Sequence, residues 1–146
     1  MQDFPLKYAK RTLLASLVIV GMGFSVLFPI LSPMGREMGL TEFQITSIIA
    51  ASSLMVFISA PIWGRLSDVW GRKRVMLIGL FGFTLGTVIF NTVLTAGLNG
   101  WLIGMPLYLT LIAARLLHAG MMSATMPAST AYMADITDLS NRTKGM

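Results

Sequence analysis

Cysteine is absent from this chain of 146 residues, and histidine occurs once. The lack of cysteine excludes disulfides and thiolate chemistry. The chain also contains no phosphate-cradling G-x-x-x-x-G-K-[ST] segment and no H-E-x-x-H pair of metal ligands. We therefore expect no metal site, no nucleotide site, no cofactor and no enzymatic activity.

Charged residues are also scarce, at 12% of the chain, whereas soluble domains contain about 25%. Hydrophobic residues make up 55%, and the mean hydropathy is +0.74. A hydrocarbon core of about 30 Å requires roughly 20 apolar residues in a helix. Four runs meet this requirement, at about residues 12–31, 45–63, 75–98 and 105–134. Because lipid offers no partner to an open backbone, we predict an all-α integral membrane protein with four transmembrane helices.

Local signals predict where these helices begin and end. Residues 41–44, TEFQ, have the S/T-x-x-E/Q form of a capping box just before the second run. Residues 32–35 are predicted to end the first helix, since proline cannot continue the helical hydrogen-bond ladder. The fourth run exceeds one span, so a tilt, a kink at Pro127 or an interfacial first turn must accommodate the excess.

Three basic residues before the first run raise the alternative of a cleavable signal peptide. The first run is longer than the roughly 7–15 apolar residues of such peptides, and no A-x-A-like cleavage site follows it. Three further runs come after it. We therefore expect the first run to remain in the protein as a helix.

Nine of the eleven basic residues fall in segments on one side of the predicted spans. They are Lys7, Lys10, Arg11, Arg65, Arg72, Lys73, Arg74, Arg142 and Lys144. Of the basic residues, the opposite side carries Arg36 alone, so the positive-inside rule predicts that the N-terminus lies in the cytoplasm. We expect the protein to lie in the inner (plasma) membrane of the cell. The net charge of +5 follows from this topology and requires no nucleic-acid partner.

Residues 64–74, GRLSDVWGRKR, place five charges between the second and third runs. A short hairpin whose cations fix the orientation would explain the basic residues but not the two glycines or the aspartate. The segment resembles the signature loop of major facilitator superfamily transporters, G-x-hydrophobic-small-D-basic-x-G-basic-basic. The matching residues are Gly64, Leu66, Ser67, Asp68, Gly71, Arg72 and Lys73, whereas Val69 stands where a basic residue is usual.

The resemblance extends along the chain. Residues 28–33 and 39–41 are similar to the end of the first helix in the drug-efflux branch of the superfamily. Residues 115–120 resemble an R-x-x-x-x-G motif of the fourth helix, and residues 131–137 resemble its cytoplasmic exit. The resemblance implies that residues 1–146 form a partial N-terminal transmembrane domain, the first part of a six-helix half. The remaining helices of the same chain would then be its partners.

In the family, the loop residues act with an acid at the end of the fourth helix as a conformational latch. The resemblance implies that the latch here consists of Gly64, Asp68, Gly71, Arg72 and Asp135.

Arg115 is the one formally charged residue within the four predicted spans. Arginine at mid-membrane costs about 2.5–3.5 kcal/mol on insertion scales and usually faces a bundle interior or a water-filled cavity. Polar or soft residues continue its helical face, so we predict a transport cavity lined by Arg115, His118, Met122 and Thr125. The alternative is that hydroxyls on this face bond back to their own helix and that His118 is a satisfied interior imidazole.

The implied function is transport of a small organic molecule across the lipid bilayer by alternating access, as proton-coupled efflux. Many proton-coupled exporters carry a carboxylate in the first helix, but residues 12–31 contain no Asp or Glu. Two alternatives remain at this point. The chain could belong to an uptake system for sugars or metabolites in the same superfamily, or it could be a self-contained four-helix membrane protein.

Overall fold

The computed structural model of the chain describes residues 6–142, except for the side chains of residues 6, 7, 9, 10, 13, 24, 26–28 and 135–142. This part of the chain is entirely helical apart from short connections, which confirms the all-α fold class. The helices are α1 (Leu6–Glu37), α2 (Glu42–Trp70), α3 (Arg72–Leu98), α4 (Gly104–Met122) and α5 (Thr125–Arg142).

Three helical segments are long and apolar enough to cross a bilayer. They are Glu42–Trp70, Arg72–Leu98 and Gly104–Ala134. Among the described residues, α1 adds a shorter apolar stretch, Leu14–Gly23. Each apolar run of the sequence therefore lies in one or two helices, and the molecule is a multi-pass membrane protein.

The first helix ends later than its prolines suggest. The predicted end at residues 32–35 is wrong, because α1 continues through both of its prolines to Glu37. The helix ends at Glu37 and is followed by a turn at Gly39, whose φ of +78° favours glycine. The N–H of Leu40 donates to the carbonyl of Gly35 over 2.9 Å and closes this turn. Proline is tolerated within membrane helices because neighbouring groups can satisfy the freed carbonyl.

The predicted capping box at the start of α2 is confirmed. The backbone N–H of Gln44 donates to Oγ1 of Thr41 over 3.3 Å, and the N–H of Thr41 donates to Oε1 of Gln44 over 2.9 Å. These two bonds satisfy donors that the first turn of a helix otherwise leaves free.

The fourth apolar run forms two helices rather than one long helix. The helix is interrupted at residues 123–124, between α4 and α5, and not at Pro127 itself. Pro127 lacks an N–H, and its ring would clash with the carbonyl four residues earlier, that of Ser123. The ladder therefore breaks one turn before the proline, where the N–H of Ala124 turns back to the carbonyl of Met121 over 3.2 Å.

Gly79, Gly82 and Gly86 form a stripe on α3 that lies close to α4 and α5. A methyl group added at Gly86 would lie 2.8 Å from Cα of His118, and one added at Gly82 would lie 2.5 Å from Cβ of Met121. Such small residues let two backbones approach in a membrane, where no hydrophobic effect drives helices together. The stripe therefore fixes which residues of α4 face α3.

The two ends of the bundle are packed differently. A large cluster of buried apolar side chains lies at the end away from residues 64–74. Its members are Leu31, Leu40, Ile45, Ile48, Phe90, Leu94, Leu107, Leu111 and Ala114. At the other end the buried apolar cluster consists of Val75, Ala124 and Ala128. Among the described side chains, the larger apolar cluster thus lies at the end opposite residues 64–74, which we call the signature segment.

Candidate functional site

The signature segment is mostly helix. Residues 64–70 continue α2 beyond its apolar part by seven residues, which corresponds to about 10 Å at 1.5 Å per residue. Gly71 alone connects α2 to α3, with φ +94° and ψ +135°. A side chain with a Cβ rarely adopts this backbone conformation, so the tight connection depends on glycine.

Asp68 and Arg72 form an ion pair across this connection. Oδ1 of Asp68 lies 3.1 Å from Nη1 of Arg72, and their side chains are 64% and 29% exposed. An exposed pair four residues apart contributes only about 0.3–0.5 kcal/mol to stability. Any large effect of these charges must therefore come from interactions that differ between conformations of the whole protein.

Two further residues of the predicted latch, Gly64 and Asp135, lie in α2 and α5. Gly64 lies within α2, where an added Cβ would be 3.9 Å from Cβ of Pro127 in α5. This glycine is thus at a helix–helix contact and not in the turn. Asp135 lies in α5, but its side chain is outside those that the structure describes.

A cavity of about 240 Å³ lies between α1, α2 and the break between α4 and α5. Its wall includes Leu17, Val20, Gly21, Val56, Met122 and Thr125. Two of the four predicted cavity residues, Met122 and Thr125, therefore border one apolar space. An apolar wall of this kind suits an organic molecule with little charge.

The hydroxyl of Thr125 faces α3 rather than the cavity. A Cβ added at Gly79 would lie 2.5 Å from Oγ1 of Thr125. Oγ1 of Thr125 and Oγ of Ser129 are buried, with no hydrogen-bond partner among the described residues, and each residue is 1% exposed. The polar side chains that share the helical face of Arg115, which we call the polar stripe, are thus directed partly at a helix contact and not at an aqueous space.

Arg115 and His118 form a buried pair away from this cavity. Nη1 of Arg115 lies 2.9 Å from Nδ1 of His118, and the residues are 2% and 0% exposed. The guanidinium carbon of Arg115 also lies 5.6 Å from the centre of the Phe90 ring, within the range of a cation–π contact. The structure therefore brings the predicted cavity residues together as two separate pairs.

The hydrogen bonds of His118 define which ring nitrogen carries the proton. The hydroxyl of Thr87 donates to the carbonyl of Phe83 over 2.7 Å, so its oxygen is free to accept from Nε2 of His118 at 3.3 Å. Nδ1 then accepts from Arg115, which has only donors. This assignment from the network gives a neutral imidazole protonated at Nε2.

The α3 contribution to this cluster was missed in the sequence. Phe83, Thr87 and Phe90 follow one another at steps of four and three along α3, and each contacts Arg115 or His118. These residues lie next to Gly82 and Gly86 on the helical surface of α3. Their position beside the glycines was the sequence signal that they flank the contact with α4. In the part of the chain that the structure describes, no three metal-ligating side chains lie together.

Comparison with known families decides the classification. The model of the Major Facilitator Superfamily matches residues 13–146, which is almost the whole chain. The chain belongs to the Major Facilitator Superfamily. This is a family of transporters and not of enzymes, and membership agrees with the resemblance of residues 64–74.

Several curated relatives within the superfamily are named for drug resistance. The chain is 29% identical to multidrug resistance protein 2 of Bacillus subtilis over 92% of its own length and 30% of that protein. It is 31% identical to the class C tetracycline resistance protein of Escherichia coli, over 90% and 31% of the two chains. It is 25% identical to the quinolone resistance protein NorA of Staphylococcus aureus, over 88% and 30%.

These relatives are much longer than the region of similarity. The chain spans about 30% of the length of the curated relatives it matches. No solved structure matches the chain.

Proposed function

We propose that the protein takes part in the export of small, largely apolar organic molecules by alternating access, driven by a proton gradient. The apolar cavity between α1, α2 and the α4–α5 break carries this proposal, because its wall suits such substrates. The names of the resistance proteins to which the chain is similar support a drug-like substrate. The whole transporter would sit in the inner membrane with its N-terminus in the cytoplasm, together with further helices of the protein.

We further propose that the signature segment is the latch of this transporter. Gly71 sets the angle between α2 and α3, and the Asp68–Arg72 pair spans that connection. Gly64 lies where α2 contacts α5, the helix that carries Asp135. Charges at this cytoplasmic end would stabilise one conformation of the transporter more than the other.

Filling the cavity is the sharpest test of the proposed substrate path. Gly21 lines the cavity, and a Cβ added there meets no atom of the described residues within 4 Å. Gly21→Leu should therefore fold, since leucine is also the better helix former. We expect it to reduce export of tetracycline or a quinolone about tenfold or more, because even one misplaced methylene in an apolar pocket costs 1–3 kcal/mol. Drug retention would be measured in energised cells that express the whole transporter.

The matched control is Met22→Leu, which introduces the same side chain at the next position of α1. Met22 is 64% exposed and does not line the cavity, so its replacement should leave drug retention unchanged. Export by Gly21→Leu at the rate of the unaltered protein, with equal amounts in the membrane, would show that the cavity is not on the substrate path.

A further inference from the structure

His118 is a buried titratable group that the substrate path and the latch do not use. Its imidazole is completely buried between α3 and α4, and both ring nitrogens are engaged. Nδ1 faces Nη1 of Arg115 at 2.9 Å, and Nε2 faces Oγ1 of Thr87 at 3.3 Å. A neutral imidazole is therefore held in one tautomer and serves as the acceptor for a permanently charged guanidinium.

We propose that Nδ1 of His118 is a proton-binding site of the transporter, and that a proton and the guanidinium of Arg115 occupy it alternately. This inference rests on the proposed proton-coupled export. It names the residue of this chain that would bind the coupled proton.

The exclusion follows from the hydrogen-bonding capacity of the two groups. Nδ1 has one lone pair, and Arg115 uses it through an N–H donor. When a proton from water binds this lone pair, the N–H to Nδ1 bond from Arg115 breaks and the imidazole becomes a cation. Two donors and two positive charges would then face each other at 2.9 Å, so the guanidinium must leave. Arg115 keeps its own proton throughout.

The described groups that contact His118 come from α3 and α4. Helix α3 presents Phe83, whose ring centre is 5.2 Å away, together with Gly86 and Thr87. Helix α4 itself presents Arg115. Among the described side chains in contact with the ring, Arg115 is thus the one charged group, and protonation of His118 acts directly on its position.

The composition of the first helix makes a site in α4 useful. Residues 12–31 contain no Asp or Glu that could carry a proton through the membrane. His118 is 0% exposed, so in this conformation the site is closed to water on both sides. A coupled transporter requires such a closed state between loading and release of its proton.

The test separates coupling from transport. Asparagine at position 118 offers an amide oxygen that can accept from Arg115 as Nδ1 does, but it does not take up a proton near neutral pH. In vesicles that contain the whole transporter, we expect His118→Asn to retain downhill flux of tetracycline. We expect it to lose accumulation driven by a pH gradient, down to the level seen without a gradient. His118→Gln is the second variant in case the first is not recovered in the membrane.

Two threonines of α3 provide a matched pair of further variants. Thr87 and Thr84 each donate to the carbonyl four residues earlier, but only Thr87 also contacts His118. Thr87→Val should shift the pH dependence of gradient-driven accumulation, because it removes the acceptor that fixes the tautomer. Thr84→Val, on the exposed face, should not.

The outcomes distinguish this proposal from the proposed function. If the unaltered protein moves no drug even down a gradient, the proposed export function fails. If it moves drug and responds to a pH gradient, and a His118 variant responds equally, export stands and the proton site at His118 is overturned. Loss of the gradient response with downhill flux retained supports the site.

Discussion

Gly71→Ala is expected to destabilise the protein by about 1–3 kcal/mol, the cost of holding a residue with a Cβ in a glycine-only backbone region. Gly71 has φ +94° and ψ +135° and is the sole residue between α2 and α3, so no neighbouring loop residue can absorb the strain. Relief would require fraying of a helix end, which would move Asp68 away from Arg72. The midpoint of unfolding in a denaturing detergent titration measures the effect.

Gly64→Ala is the matched control, since it makes the same change seven residues earlier in the same motif. Gly64 is helical, and the nearest atom to an added Cβ is 3.9 Å away, an ordinary contact distance. Alanine in a helix interior is favoured over glycine by about 0.5–1 kcal/mol, so stability should be unchanged or higher. Equal destabilisation by the two substitutions would contradict the assignment of the turn to Gly71.

Asp68→Asn is expected to abolish most transport while changing stability little. The exposed pair with Arg72 contributes about 0.3–0.5 kcal/mol, too little to unfold the protein. Loss of a charge that stabilises one conformation of the transporter would instead leave it unable to cycle. Drug efflux and the amount of protein in the membrane should be measured on the same cells.

An ion pair at the other end of the bundle provides the control. Nε of Arg36 lies 2.6 Å from Oε1 of Glu42, and both side chains are 65% exposed. Glu42→Gln removes a carboxylate as exposed as that of Asp68, away from the signature segment, and should leave efflux intact. Normal efflux of several drugs by Asp68→Asn would refute the latch.

The apolar runs predicted the helices because a bilayer leaves the backbone no alternative to internal hydrogen bonds. Their exact ends were less predictable. Proline in residues 32–35 indicated an end that the membrane environment makes unnecessary, whereas the helix ends at Glu37, before the turn that Gly39 makes through its positive φ. Pro127 correctly indicated a distortion of the helix. The break falls one turn earlier because the proline ring would clash with the carbonyl four residues before it.

The site was predictable where residues are neighbours in sequence. The spacing of Asp68 and Arg72 and the helical spacing of Arg115 and His118 both correspond to direct contacts. The division of the polar stripe between a cavity and a helix contact was not predictable. It depends on the rotation of α4 against α3, which is fixed by glycines far away in the sequence.

The contacts of Arg115 also explain how a charge can be buried within the apolar bundle. Insertion of arginine at mid-membrane costs about 2.5–3.5 kcal/mol. A hydrogen bond from a charged donor returns about 1.5–3 kcal/mol, and the contact with Phe90 adds about 0.5–2 kcal/mol. The two interactions together are of the same order as the cost, so Arg115 need not face water in this conformation.

The chain contains no cysteine, so a single thiol can report directly on whether the cavity opens to water during transport. We would label Met122→Cys, on the cavity wall, with a membrane-impermeant thiol reagent from each side, with and without tetracycline. Val88→Cys, at a position of α3 that is 59% exposed and outside the cavity wall, serves as the control. We predict that Met122→Cys reacts from the aqueous side and that tetracycline slows this reaction. A Met122→Cys variant as unreactive as Val88→Cys under every condition would contradict a substrate path through the cavity.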